Sequence, residues 1–334
     1  MSIRFGIIGA GIVGAKRAQA ILNLSARVVA VTDLDESKAR KISQGTGARV
    51  ACDGFDLVQS SDIDAVVIAT TNDVALKWSV EALRQNKHVL VEKPAGKNPM
   101  ELGELCQVAR DSRAICRIGF NHRFHGALKK AKELLQEGAI GECLFFRAKY
   151  GHGGRPGYDR EWRADPKKGG GGELLDQGVH LIDLCRWMGG EFELEFGAAE
   201  TFFWDMPVED NGFLYLKSSN KKTVAWLHAS CTEWKNSFEF EVFGKKGKLQ
   251  VVGLGGSYGE EELRCYRVRP QMGVPELATY CFPQDFSWEE ECAAFMQEIS
   301  GQSTSIARPE DGLKAISLVY EVYRRKNILA RPSE

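Results

Sequence analysis

The sequence predicts an α/β protein: an N-terminal Rossmann-type, doubly wound parallel sheet, then an α+β domain with an open, mainly antiparallel sheet. Three observations lead there. In the first 120 residues, short runs of Val and Ile alternate with helical patterns. Those runs show no polar alternation, as befits strands buried on both faces of a parallel sheet. A glycine-rich turn joins the first strand to the first helix. Beyond Arg123, strands follow one another across Gly and Asn-Lys turns, the pattern of antiparallel neighbours.

Taken in order, Ile3–Ile8 is a strand and Ile12–Leu24 a helix. Arg27–Thr32 and Glu36–Gln44 repeat the pair, as do Ala65–Thr70 and Val74–Gln85. His88–Glu92 and Ile115–Phe120 are strands flanking the helix Met100–Ser112. A helix over Ala127–Glu137 is closed by Gly138 and Gly141, which tolerate the left-handed conformation of a helix end. The strand Cys143–Tyr150 leads into a long loop, Gly151–Gly172, rich in Gly, Arg and Lys. Its length exceeds what a connection usually needs, which makes it a candidate for function. A periodic helix covers Glu173–Met188. Strands follow at Glu195–Phe203, Gly212–Ser218, Thr223–Ser230, Ser237–Phe243, Lys248–Val252 and Glu262–Val268. The helices Trp288–Ser300 and Glu310–Lys326 end the chain.

At roughly 150 residues per domain, 334 residues make about two. The change of pattern divides them into 1–123 and 124–334. A net charge of −1 gives no reason to expect nucleic acid or an anionic membrane as partner. No apolar run approaches the roughly 18 residues that span a bilayer. The early residues read better as a strand and glycine turn than as a signal peptide. Nine cysteines with no CxxC pair read as reduced thiols of a cytoplasmic protein, not a disulfide framework or zinc ribbon.

Gly9, Gly11 and Gly14 form GxGxxG between strand and helix. The first glycine allows the tight turn, the second lets the backbone approach a pyrophosphate, and the third lets helix and strand pack closely. The helix N-terminus at Ile12 and Val13 then receives negative charge. Asp33 ends the second strand 19 residues after Gly14, where a carboxylate binds an adenosine ribose diol and repels a 2′-phosphate. The expected cofactor is therefore NAD(H) in preference to NADP(H). Asp33 also has a second reading, as the cap of the following helix. Other polar residues gather at strand carboxyl ends: Thr70, Thr71 and Asn72, then Glu92 and Lys93, then Asn121 and Arg123. Ligands of open α/β sheets bind at that edge.

Glu92-Lys93-Pro94 ends a strand, and Pro94 steers Lys93 away from helical geometry. An X-Pro bond is also open to the cis form. A lysine so placed suits proton transfer or the polarising of a carbonyl, though in isolation it reads better as a surface lysine in a turn. The segment Gly169–Asp183 puts Asp176 and His180 four apart on a helix, with Asp183 three further on. An imidazole with a carboxylate one turn away can cycle a proton near neutral pH. No metal is expected, because one His and two Asp make an incomplete ligand set.

These pieces together resemble the Gfo/Idh/MocA oxidoreductases, relatives of glucose–fructose oxidoreductase and inositol dehydrogenase. The resemblance rests on GAGIVG, VTDLD, ATTND, VEKPAGKN, GFNHRF, the W-R-x-D stretch at Trp162–Asp165, GGGGELLDQGVHLIDLCRW and RPEDGLKAISLVYEVY. It implies that Lys93 and His180 are the catalytic pair, with Asp176 beside them. It implies that Glu92 lies near the nicotinamide ribose, that Asn121 and Arg123 lie at the cofactor–substrate boundary, and that Trp162 and Arg163 adjoin the cofactor. It also implies a homodimer or homotetramer through the C-terminal sheet, and a last helix that can pack back on the first domain. Thr71 departs from the family's common Pro.

The expected activity is NAD-dependent oxidation or reduction at a secondary alcohol or ketone of a sugar, cyclitol or nucleotide-sugar. Two alternatives remain open: an NAD-dependent glycosidase acting by transient oxidation and elimination, and a non-catalytic dinucleotide-binding regulator. Arg147–Lys168 carries seven basic residues against three acidic ones. With Tyr158, Arg160 and Trp162, this loop is expected to contact substrate and to suit an anionic or aromatic group.

Overall fold

The structure, a computed structural model, describes residues 3–220 and 222–325. In chain order its elements are β1 (Arg4–Ile8), α1 (Ile12–Asn23), β2 (Arg27–Thr32), α2 (Glu36–Thr46), β3 (Arg49–Val50), α3 (Gly54–Gln59), β4 (Ala65–Ile68), α4 (Asn72–Arg84), β5 (His88–Glu92), α5 (Pro99–Asp111), β6 (Cys116–Gly119), α6 (Gly126–Gln136), β7 (Cys143–Gly151), α7 (Val179–Gly189), β8 (Phe192–Glu200), β9 (Asn211–Ser218), β10 (Val224–Ser230), β11 (Ser237–Gly244), β12 (Gly247–Val252), β13 (Glu261–Arg267), β14 (Glu276–Phe282), α8 (Ser287–Ile299) and α9 (Pro309–Arg325). They fall into two compact units. One holds the chain through Asn121 with Lys167–Gly170 and Ser287–Lys314; the other holds His122–Pro166, Gly171–Phe286 and the chain from Ala315.

The first unit is a parallel six-stranded sheet in the order β3-β2-β1-β4-β5-β6. Its apolar strands are buried throughout, including Phe5, Ile7, Val31, Val66, Val67, Ile68, Val89 and Leu90. The order reverses between β1 and β4, so the loops after those two strands border the crevice where such sheets bind ligands. Caps start the helices as local chemistry dictates. Asp35, Asp53 and Asn98 accept backbone N–H bonds at α2, α3 and α5. α8 packs on α1, with Phe295 against Phe5 at 6.4 Å.

The second unit is an eight-stranded sheet in the order β14-β13-β12-β11-β7-β10-β9-β8. Every neighbouring pair is antiparallel except β7 and β10, which run parallel. Burial alternates along β9 and β12, the mark of a sheet with one covered face. α7 is buried along most of its length. The apolar residues Phe196 and Trp226 remain about half exposed on β8 and β10.

Four elements differ in presence or kind from the sequence expectation. β3 and α3 are too short to carry a periodic signal. β14 is an edge strand, exposed almost throughout, so its residues do not alternate. The helix expected over Glu173–Met188 begins with a π-helical turn, Leu174–Gly178, before becoming regular. The last helix runs to Arg325, and its expected end at Lys326 lies outside the described residues.

Candidate functional site

In the first unit, Gly9 has φ +96°, and a Cβ there would stand 2.4 Å from the Ala69 carbonyl oxygen. A Cβ on Gly14 would stand 2.0 Å from the Gly9 carbonyl oxygen, so α1 and β1 meet only because both residues lack one. At Gly11 the same atom would meet nothing within 4 Å. The turn is thus closed on its inner side and open where a phosphate would approach. No side chain caps α1 and no acidic residue stands in its first turn, leaving its N-terminus available to an anion. Asp33 latches this turn: one carboxylate oxygen accepts from Ala10 N at 2.6 Å, the other from Asp35 N at 2.8 Å. The helix cap is Asp35, not Asp33, which settles the second reading of Asp33. These residues fit a dinucleotide.

Further along the same sheet edge, Asn72 is buried, and its amide nitrogen donates to the Gly169 carbonyl at 2.8 Å. Thr71 holds φ −66°, the angle that proline enforces, so its departure from the family pattern leaves the backbone unaltered. Its hydroxyl donates to Asp73 at 2.6 Å, while Thr70 donates to the Thr71 carbonyl. Glu92 ends β5 and accepts from Arg17 Nε at 2.6 Å. Arg17 is fully buried and reaches Glu291 on α8 at 2.5 Å with its other arm, while its guanidinium lies 4.7 Å from the Trp288 ring. Burial opposes this charge, yet Glu92 and Glu291 hold the Arg17 pKa above the ordinary arginine value. Lys93 follows, half-buried, with a cis bond to Pro94. Asn121 Nδ2 donates to Ser287 Oγ at 3.1 Å. Arg17 was missed by sequence reasoning, although it falls in the 14–17–18–21 apolar stripe of α1 and so signals a buried charge.

In the second unit, the π-helical turn carries Asp176, whose carboxylate accepts from Arg163 Nε at 3.0 Å. Arg163 in turn lies 4.5 Å from the Trp162 ring. The turn is held by Glu209, which accepts from the backbone N–H groups of Gly172 and Leu174 and from Tyr323 Oη at 2.5 Å. Burial raises the Glu209 carboxyl above its ordinary range despite these bonds. Glu173 is also buried; burial first, then repulsion from Asp176, pushes its carboxyl up to about 8. Tyr158 Oη donates to it at 2.7 Å. Neither glutamate was legible in the sequence: Glu209 meets partners 35, 37 and 114 residues away, and no local pattern marks Glu173 as buried.

His180 is buried, and its ring stacks on that of His122 at 3.7 Å with 22° between the planes. Asp183 and Arg123 form a buried two-armed ion pair, at 2.8 Å and 2.5 Å. The Arg123 fork is thus bonded to Asp183 in the interior of this unit. Tyr158 is likewise buried, 3% exposed, with its hydroxyl on Glu173.

The basic loop is also less charged than its composition implied. Arg147 pairs with Glu241, Lys149 with Glu233, Arg155 with Glu161, Arg160 with Asp159 and Arg163 with Asp176. Three of those carboxylates, Glu241, Glu233 and Asp176, lie outside the loop, so counting charges within it overstated its field. Arg160 is almost fully exposed. An anionic ligand is therefore not required to neutralise this segment.

Among the described residues, no helix is long and apolar enough to cross a membrane. Residues 3–120 match the model of the oxidoreductase family with an NAD-binding Rossmann fold, and residues 128–250 match the GFO/IDH/MocA C-terminal domain. Inositol 2-dehydrogenase from Rhizobium meliloti is 26% identical over 332 residues, 95% of each chain. Inositol 2-dehydrogenase 2 from Saccharopolyspora erythraea is 30% identical over 66% of this chain, spanning 64% of the relative's length. Among solved structures, levoglucosan dehydrogenase in complex with NADH and levoglucosan superposes with a TM-score of 0.88 at 22% identity, covering 98% of both chains. A 3-ketoreductase from Actinomadura kijaniata, in complex with NADP and TDP-benzene, gives 0.81 at 23% identity, covering 97% of this chain and 98% of that one. Glycine turn, doubly wound sheet and mixed second sheet agree with these matches, and the chain belongs to the Gfo/Idh/MocA oxidoreductase family.

Proposed function

We propose that the chain is an NAD-dependent dehydrogenase that interconverts a secondary alcohol and a ketone on a sugar, cyclitol or nucleotide-sugar. The observation that carries this reading is the glycine turn latched by Asp33, open at Gly11 and leading into an uncapped helix. The names of the relatives supply the substrate class: inositol and levoglucosan dehydrogenases lie on either side of it.

The dinucleotide, when bound, supplies the carbon that exchanges hydride with the carbinol carbon. Gly9, Gly11, Ile12, Val13 and Gly14 would receive its pyrophosphate, and Asp33 its adenosine ribose. Thr70, Thr71, Asn72, Glu92, Lys93 and Asn121 would border its nicotinamide half, with Trp162 and Arg163 contributing from the loop. Asp33 favours NAD over NADP because both its oxygens are tied to backbone N–H groups. It cannot swing aside for a 2′-phosphate without breaking the turn. Lys93 hydrogen-bonds the substrate oxygen as it becomes a carbonyl. His180 takes the hydroxyl proton in oxidation and returns it in reduction. Asp176, held by Arg163, supplies a fixed negative charge on the helix that carries His180. Residues 1–123 would then serve the cofactor and 124–334 the substrate, with the open face of the second sheet available for self-association.

Lys93→Met and His180→Ala should each lower turnover at least about a hundredfold, the scale of general acid–base catalysis, while NAD binding persists. Turnover followed by NADH absorbance over a panel of polyols, sugars and sugar nucleotides measures this. Near-wild-type rates in both variants would sink the assignment.

A further inference from the structure

His180 does not stand alone in its unit. His122 stacks on it at 3.7 Å, and His125 meets His122 edge-on at 5.5 Å. All three rings are buried. The far end of this row meets carboxylates: His125 Nδ1 lies 2.7 Å from Glu261 Oε2 and 3.8 Å from Asp285 Oδ1. Other groups complete the surroundings. Tyr150 of β7 lies 5.2 Å from His122 and 6.0 Å from His180, and burial keeps its phenol protonated. Phe238 of β11 lies 6.0 Å from His122. On the helix bearing His180, Asp183 is paired with Arg123 and Asp176 with Arg163.

Rings stacked nearly parallel present their faces to each other, not their N–H bonds. The contact between His122 and His180 therefore cannot pass a proton directly. What it can do is electrostatic: two imidazolium ions 3.7 Å apart in a buried site repel strongly, so the pair resists taking two protons. The carboxylates on the His180 helix are each bonded to an arginine, whereas Glu261 and Asp285 face His125, so positive charge in the row is best compensated at the His125 end.

We infer that His122 is a positioning residue for the reaction: its ring fixes the plane of His180, and the row His122–His125–Glu261 draws positive charge away from His180, keeping it a neutral base. The inference rests on His180 being the base proposed above.

Two measurements test it on the full chain with NAD bound. With only six histidines, ring-labelled His180 can be followed by NMR against pH, its signal identified by loss in His180→Ala. In the unaltered protein its titration should be biphasic, since a neighbour at this distance makes the two sites share macroscopic steps. In His122→Phe, which keeps a flat ring in the stack, the His180 midpoint should rise by about one pH unit, a tenfold gain in proton affinity. The acidic limb of kcat/KM should rise with it. A single-step titration in the unaltered protein, or a His180 midpoint unmoved in His122→Phe, overturns the inference. A midpoint that rises while the acidic limb stays put upholds the coupling and refutes His180 as the base.

Discussion

Replacing Arg17 by Met should be among the most damaging single changes in the first unit. Arg17 is fully buried between Glu92 and Glu291, and Glu291 is itself fully buried. Removing the cation leaves a carboxylate without its counter-charge in a place water does not reach. Breaking a buried pair from one side costs about 3–5 kcal/mol. That is a large fraction of the roughly 5–15 kcal/mol that holds a domain together. The cost should show as an early unfolding transition in urea, followed by intrinsic fluorescence, in which Trp288 reports directly because it lies against Arg17. The double variant Arg17→Met/Glu291→Met should recover part of the loss, because the fully buried carboxylate is removed with its counter-charge and only Glu92, 13% exposed, is left unpaired by it. A single variant costing under about 1 kcal/mol, or a double variant no better than the single, would refute this account of the buried triad.

Three more outcomes follow from the geometry. Because the Glu173 carboxyl is raised to about 8, its contribution is whole below the ordinary carboxylate range and is lost as pH climbs toward that value. Stability should fall by about 1.4 kcal/mol per pH unit across this window, and Glu173→Gln should flatten the slope in denaturant titrations at several pH values. On the function proposed, Asp33→Ser should lower the ratio of kcat/KM for NAD over NADP by at least about tenfold, measured with both cofactors on one substrate, since the carboxylate would both bind ribose and repel phosphate. Arg155→Ala and Arg160→Ala should change affinity for a sugar phosphate by less than about threefold, because each is paired with a loop carboxylate and such exposed pairs carry little energy.

The first unit was legible in the sequence because its signals are local. The glycine turn, Asp33 and the buried Val and Ile runs each speak within a few residues, and β2 and β5 have the bounds expected of them. The partners were not legible. Arg17 and Glu291 lie 274 residues apart, and Arg123 and Asp183 lie 60 apart, so no window of sequence pairs them. The π-helical turn was hidden for a related reason. Its register is held by Glu209, whose place beside Gly172 and Leu174 is a product of the fold. His122 lies in GFNHRF, between the two residues there that have a site role by resemblance. Its spacing of three from His125 across a short turn was the available signal.

The parallel pairing of β7 with β10 bears on how the second unit comes together. The strands β8, β9 and β10 form one meander and β11 to β14 another, each closable by short turns. β7 is the seam between them, parallel to one and antiparallel to the other. It is also synthesised before either. Its apolar stretch must therefore wait, unpartnered, until some 80 further residues of chain have emerged, as the pairing of Phe145 with Val224 requires. Contacts of such long sequence separation close slowly. β7 is thus where a nascent chain would most need shielding from its neighbours, and where a destabilising change should be felt first in soluble yield, ahead of any effect on turnover.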